Sequence, residues 1–192
     1  MKYEEQLDWM RILGILSMVF IPAIMVLDFI AGKTHTPFII GLDLVLSAVA
    51  TVCYSLFLYA FIIIDRKFSG RLTTILWLTI ILGALITVVG NLPFVLPKLQ
   101  GVSGLIIILL QVPIGILLIL FGIRIRKMTA ELGPLARTCG TVHIVAGALA
   151  ASIILFFFGA LVSLAGDIYL ILILGAYIKK LRASTDAQVV GP

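Results

Sequence analysis

The sequence predicts an all-α, polytopic integral membrane bundle of six transmembrane helices, arranged as three in–out–in hairpins with both ends in the cytoplasm. Three observations carry this expectation. The chain of 192 residues is 62% apolar and 12% charged, with a mean hydropathy of +1.25; soluble domains hold about 45–50% apolar and about 25% charged residues. Its apolar residues cluster into runs near the roughly 20 residues that a helix needs to cross a bilayer. Its basic residues fall into small groups between those runs, as topology determinants do.

Taken in order, the runs place helices at about 12–31, 38–64, 72–96 and 104–123. Polar or turn-rich connectors separate them: 32–37, 65–71 and 97–101, followed by a longer one at 124–137 that holds Glu131, Gly133 and Pro134. The stretch from Thr138 to Ile178 then carries one charged residue, Asp167. As a single helix rising about 1.5 Å per residue it would be roughly 60 Å long, twice the hydrocarbon core. It must fold back. Gly166 and Asp167 supply the turn and capping chemistry, which predicts a turn at Ser163–Gly166 and helices at 139–162 and 167–181. Residues 1–182 form one membrane domain, and 183–192 a short disordered polar tail.

Charge tests the count independently. With a cytoplasmic N-terminus and six crossings, Lys2, Arg11, Arg66, Lys67, Arg71, Arg124, Arg126, Lys127, Arg137, Lys179, Lys180 and Arg182 are inside, and only Lys33 and Lys98 outside. That asymmetry is what the positive-inside rule demands, and a five-span layout would spoil it. The first apolar run follows a mixed acidic and basic segment without a small-residue cleavage site, so it reads as a retained helix in the cell membrane. Scarce Asn, Gln and Cys point weakly to a prokaryotic, heat-adapted source.

Polar residues within such helices carry the functional information, because lipid penalises them unless they find partners. Helical spacing aligns Asp43, Ser47, Thr51 and Tyr54 on the second helix, and Thr79, Gly83, Thr87, Gly90 and Asn91 on the third. Gln111, Gly115 and Gly122 do so on the fourth, and His143, Gly147, Ala150 and Ala151 on the fifth. Small and polar stripes mark faces where helices pack, and packing alone explains the small residues. Asp28, Asp43 and Asp167 fall in the outer half of this layout, near helix ends. Asn91 and Gln111 lie at matched depth, each two residues before a proline that frees the carbonyl four positions back, at Val89 and Leu109. Asp28, Asp43, Asn91, Gln111 and Asp167 are therefore the candidate ligand- or ion-binding residues. The competing reading has the carboxylates hydrated or capping helix ends, and the amides bonded to each other or to the freed carbonyls. His143 is expected to be a packed or interfacial side chain, with a proton relay as the alternative.

Motif chemistry narrows the classes. The sequence contains no phosphate-binding glycine loop, no His-Glu-x-x-His, no Gly-x-Ser-x-Gly and no Cys-x-x-Cys. Cys53 and Cys139 are far apart and read as small buried hydrophobes. No cofactor, metal site or nucleic-acid partner is expected. The partners expected are the lipid bilayer and either further copies of the chain or other membrane subunits. The function expected is a small transporter or channel for a cation, proton or small solute. The alternative is a non-catalytic accessory subunit of a larger membrane complex, and an intramembrane enzyme is disfavoured.

Overall fold

A chain in lipid has no water to satisfy its backbone, so its peptide groups must bond within helices. The computed structural model, which describes residues 3–34, 36–68, 70, 72–152 and 154–189, is built on that rule. Lys2, His35 and Arg71 lie outside the described residues. Among the described residues there are seven α-helices: α1 (Tyr3–Thr34), α2 (Pro37–Phe68), α3 (Thr73–Val95), α4 (Gln100–Lys127), a single-turn α5 (Thr129–Leu132), α6 (Leu135–Ala151) and α7 (Phe156–Val189). A 3-10 turn at Pro97–Leu99 leads into α4. Five of the helices are long and apolar enough to cross a membrane, and α6, at 17 residues, is a shorter apolar helix. Large hydrophobic side chains such as Val19, Phe29, Val45, Ile81, Val88 and Leu109 are exposed around the bundle. An exterior of that kind needs an apolar solvent, so the bundle is compatible with a multi-pass membrane protein.

Consecutive long helices pack side by side, and α7 closes back onto α1. The tightest seam joins α4, α6 and α7, and glycine creates it. A Cβ on Gly115 would lie 2.6 Å from the Gly147 carbonyl oxygen, and one on Gly122 would meet the Gly140 carbonyl and sit 2.9 Å from the Ile144 nitrogen. On the other side of α6, a Cβ on Gly159 would lie 2.6 Å from the Ala150 nitrogen, and one on Gly166 2.6 Å from the His143 ring. Contacts this close are available only where no side chain intervenes, which is how small residues hold helices together in lipid.

This seam relocates the last turn. The stretch from 138 to 178 does fold back on itself, but the helix ends at Ala151, with Ser152 extended (ψ 110°), rather than at Ser163–Gly166. Gly166 is a packing glycine against His143, and Asp167 is not the cap of a new helix. It lies eleven residues into an unbroken α7, about 16 Å from that helix's start. Pairing Gly159 with Ala150 and Gly166 with His143 fixes the antiparallel register, and the register fixes where the chain must turn. α7 also continues as helix to Val189, over residues expected to form a polar tail. Asp28 stands within α1 rather than at its end, since α1 runs on to Thr34.

The helix ends divide the bundle into two unlike halves. At one end the start of α1 meets the ends of α2 and α7: Lys67 Nζ sits 3.4 Å above the Tyr3 ring, and Arg182 bonds Asp8 at 2.9 Å. That half is filled by a continuous apolar core including Leu7, Phe57, Phe61, Ile125, Ile173 and Leu174. Asp65, fully buried, closes its α2–α3 corner by accepting the Leu72 N–H at 2.8 Å and the Thr73 N–H at 3.0 Å, which caps the open start of α3. The opposite half holds most of the hydroxyl side chains of α1, α2 and α3, together with Asn91.

The seam makes two glycine substitutions in α4 diverge. Gly104 has open space around it, so Gly104→Ala should leave stability unchanged or raise it by up to about 1 kcal/mol through helix propensity. Gly122→Ala should lower it by about 1–3 kcal/mol through overpacking. Thermal unfolding in detergent followed by circular dichroism measures both, and equal effects would contradict the seam.

Candidate functional site

In the half opposite the apolar core, the stripe on α2 is left uncovered between α1 and α3, and a cavity of about 400 Å³ lies over it. From α1 it is lined by Ser17, Ile21, Ile24 and Asp28; from α2 by Ser47, Thr51, Tyr54 and Ser55; and from α3 by Thr79, Gly83, Thr87 and Asn91. Asp167 of α7 completes the lining. No lysine, arginine or histidine is among these residues. The helical spacing that aligns Asp43, Ser47, Thr51 and Tyr54 carries on to Phe57 and Phe61. One face of α2 thus passes from polar to apolar as it runs into the core. The Phe57 ring packs edge-on against Phe61 with centroids 5.6 Å apart and fills the space left by Gly14 of α1, which blocks that direction.

Most hydroxyls of the lining donate back into their own helices. Ser17 donates to the Gly14 carbonyl at 2.8 Å, Ser55 to Thr51 at 2.7 Å and Thr79 to Ile75 at 2.9 Å. Thr51 and Thr87 face each other at 2.9 Å, and each also reaches the carbonyl of its own preceding turn, Ser47 and Gly83. Two hydroxyl hydrogens are therefore absorbed by three acceptors. Asn91 Nδ2 donates to the Thr87 carbonyl at 2.7 Å, which leaves its side-chain oxygen free to accept. Such back-bonding uses up the hydrogens and leaves lone pairs. The polar groups of an otherwise apolar wall are consequently mainly acceptors, with the Asp28 and Asp167 carboxyls added.

Asp167 anchors the deep end. Tyr54 donates to its Oδ1 at 3.1 Å, and His143 Nε2 stands 3.9 Å from the same oxygen. His143 is buried at 1% exposure behind Asp167, edge-on to Phe121 with centroids 5.0 Å apart. Its Nδ1 lies 2.9 Å from the Cys139 carbonyl oxygen.

The predicted site residues separate accordingly. Asp28, Asn91 and Asp167 share the cavity. Asp43 does not line it: the residue is wholly buried, neither carboxyl oxygen has a hydrogen-bond partner among the described residues, and the Asp28 carboxyl is its electrostatic neighbour. Gln111 is absent from the lining, and Asn91 bonds neither to it nor to Val89 but to Thr87. The three carboxylates are not at one level either, because Asp167 lies far deeper than the end of its helix. The sequence reading missed Ser17 and Ser55, which carry no pattern of their own on α1 and α2. It also missed the closeness of His143 to Asp167, whose signal was their place on successive antiparallel helices. Among the described residues no group of three or more His, Cys, Asp or Glu side chains is placed to hold a metal ion.

Comparison with known proteins gives no match among family models, curated proteins or solved structures. The class is therefore set by the chain's own architecture: an all-helical, strongly apolar bundle with a cavity in one half that is lined by both apolar and polar side chains.

If water fills this cavity while lipid covers the outer faces, neighbouring residues on α3 should differ sharply as cysteines. Thr87→Cys lines the cavity and should react with a water-soluble methanethiosulfonate in liposomes. Val88→Cys, on the exposed apolar face, should stay unreactive because a thiol in lipid does not ionise. Native Cys53 and Cys139 are buried and give a low background. Equal labelling of the two variants would contradict a wet cavity.

Proposed function

We propose that this chain is a six-span cell-membrane protein with both termini in the cytoplasm, and that it works as a small transporter whose cavity takes a small cation. Support for the topology comes from the charges. Arg66, Lys67, Arg124, Arg126, Lys127, Arg137, Lys179, Lys180 and Arg182 belong to the helix ends and connections of the apolar-core half, and Lys33 and Lys98 to the other. With the basic half inside, the positive-inside rule is met and the cavity opens outward. α6, about 25 Å long, is shorter than the roughly 30 Å hydrocarbon core, and the residues at its turn and its α5 corner make up the difference.

The cavity's chemistry carries the functional reading. A space of about 400 Å³ whose wall is largely apolar and whose polar groups are oxygen acceptors, with two carboxyls and no basic side chain, complements a ligand that is positively charged and carries N–H donors. Its size exceeds what a bare metal ion needs, and Ile21, Ile24 and Ile80 line part of it with apolar surface. A small organic cation suits both features. Phe57, Phe61 and the core below block the path to the basic half. That favours a site loaded from one side over a continuous pore.

Guanidinium is a suitable probe because it is permanently charged, crosses bilayers poorly and carries only donors. Proteoliposomes should take it up saturably, and tetramethylammonium, which has no N–H, should enter much more slowly. Asp28→Asn and Asn91→Leu should each lower guanidinium uptake about tenfold or more, the scale of one lost charged hydrogen bond. Gln111→Leu should leave it unchanged. Uptake equal to that of empty liposomes would overturn the reading. Separately, a cysteine appended after Pro192 should resist impermeant reagents in intact cells, and its labelling from outside would refute the topology.

A further inference from the structure

The hydrogen-bond geometry around His143 accounts for every proton but one. The Cys139 carbonyl can only accept, so the hydrogen in its 2.9 Å contact with Nδ1 belongs to the ring. The Cys139 thiol, 3.5 Å from Nδ1, has its own acceptor in the Gly166 carbonyl at 3.8 Å. With Nδ1 protonated, a neutral ring would present the lone pair of Nε2 to Asp167. Tyr54 already donates to Oδ1 of Asp167, which favours that carboxyl as an acceptor and hence as a carboxylate. A lone pair facing a carboxylate in a buried apolar setting is repulsive, and one proton on Nε2 turns the repulsion into an ion pair. α4 faces the ring with Phe121, which is neutral, and the nearest cation on that helix, Arg126, packs against Gly140 about a turn away.

The two partners differ in access. Asp167 lines the cavity, whereas His143 is buried behind it. We infer that His143, held against the Asp167 carboxylate, stores one exchangeable proton on Nε2 at the base of the cavity, and that a cation arriving there displaces it. The inference rests on the cavity reading above. The balance is simple. The proton leaves Nε2 by way of the Asp167 carboxylate to cavity water, His143 remains as the neutral Nδ1–H form, and the incoming cation becomes the counter-charge of Asp167. One positive charge replaces another, so the buried carboxylate is never left unpaired, which in lipid is the costly state. The cavity would thereby exchange a cation for a proton. Because the unloaded form holds the extra proton, raising the pH must strengthen cation binding, by up to about tenfold per pH unit for a single proton.

The chain has two histidines, so His35→Gln leaves His143 as the only one. In that protein, labelled with ¹⁵N-histidine and placed in nanodiscs, both ring nitrogens should be protonated near pH 7.5 without ligand. Saturating guanidinium should convert the ring to the neutral Nδ1–H tautomer, with close to one proton released per guanidinium bound, read with a pH indicator in weak buffer. Asp167→Asn, which keeps an acceptor for Tyr54 but removes the charge, should give a neutral ring in both conditions. A neutral ring in the unloaded parent, or an imidazolium that survives Asp167→Asn, overturns the stored proton. Guanidinium that binds without deprotonating His143 overturns the exchange alone. Guanidinium that fails to bind overturns the cavity reading and the exchange with it, while the unloaded spectrum still decides where the proton sits.

Discussion

The architecture depends on backbone-to-backbone contact along α6. Gly140 and Gly147 let α6 sink against Gly122 and Gly115 of α4, while Ala150 and His143 receive Gly159 and Gly166 of α7. In lipid there is little hydrophobic drive to bring helices together, so close approach and the dispersion it allows must do it. Such contacts are also unforgiving of register, because shifting one helix by a single residue would replace glycines with side chains at distances where no atom fits. The turn after Ala151, the depth of Asp167 and the encounter of Asp167 with His143 are all consequences of this one alignment.

A second consequence is the unequal filling of the bundle. Large side chains fill the half where the helix ends are basic, with Phe57, Phe61, Leu170, Ile173 and Leu174 wholly or almost wholly buried. Hydroxyls and small residues occupy the other half and leave it hollow. Because hydroxyls on helices return their hydrogens to the preceding turn, a helical wall of serine and threonine is a wall of acceptors whatever its tertiary setting. That local rule, repeated on α1, α2 and α3, gives the cavity its electrostatic character before any carboxylate is counted. Asp28 and Asp167 then add charge at two depths.

Much of this was legible in the sequence. Composition and run length predict an apolar helical bundle, and the polar stripes of the second and third helices are the walls of the cavity. The position of the last turn was not legible. Gly166 and Asp167 resemble a helix start, whereas the real break occurs in an apolar, aromatic segment with neither proline nor glycine at the turn. A glycine read alone cannot distinguish a turn from a close contact, because both need the same missing side chain. For the same reason His143 read as a packing residue: with Asp167 assigned to a distant helix end, nothing opposed it. Gln111 was expected beside Asn91 from its matched proline spacing, but matched depth does not imply a shared face, and α4 spends its buried face on α6.

The meeting of Asp167 with His143 requires α7 to be continuous through Asp167, and hydrogen–deuterium exchange of the native protein in nanodiscs reads that directly. The predicted result is a gap in protection between α6 and α7, with fast exchange at Ile154 and slow exchange from Ala160 through Leu174 without interruption. A fast-exchanging break at Ser163–Gly166, with protection running unbroken through Ile154, would return Asp167 to a helix end and contradict this architecture.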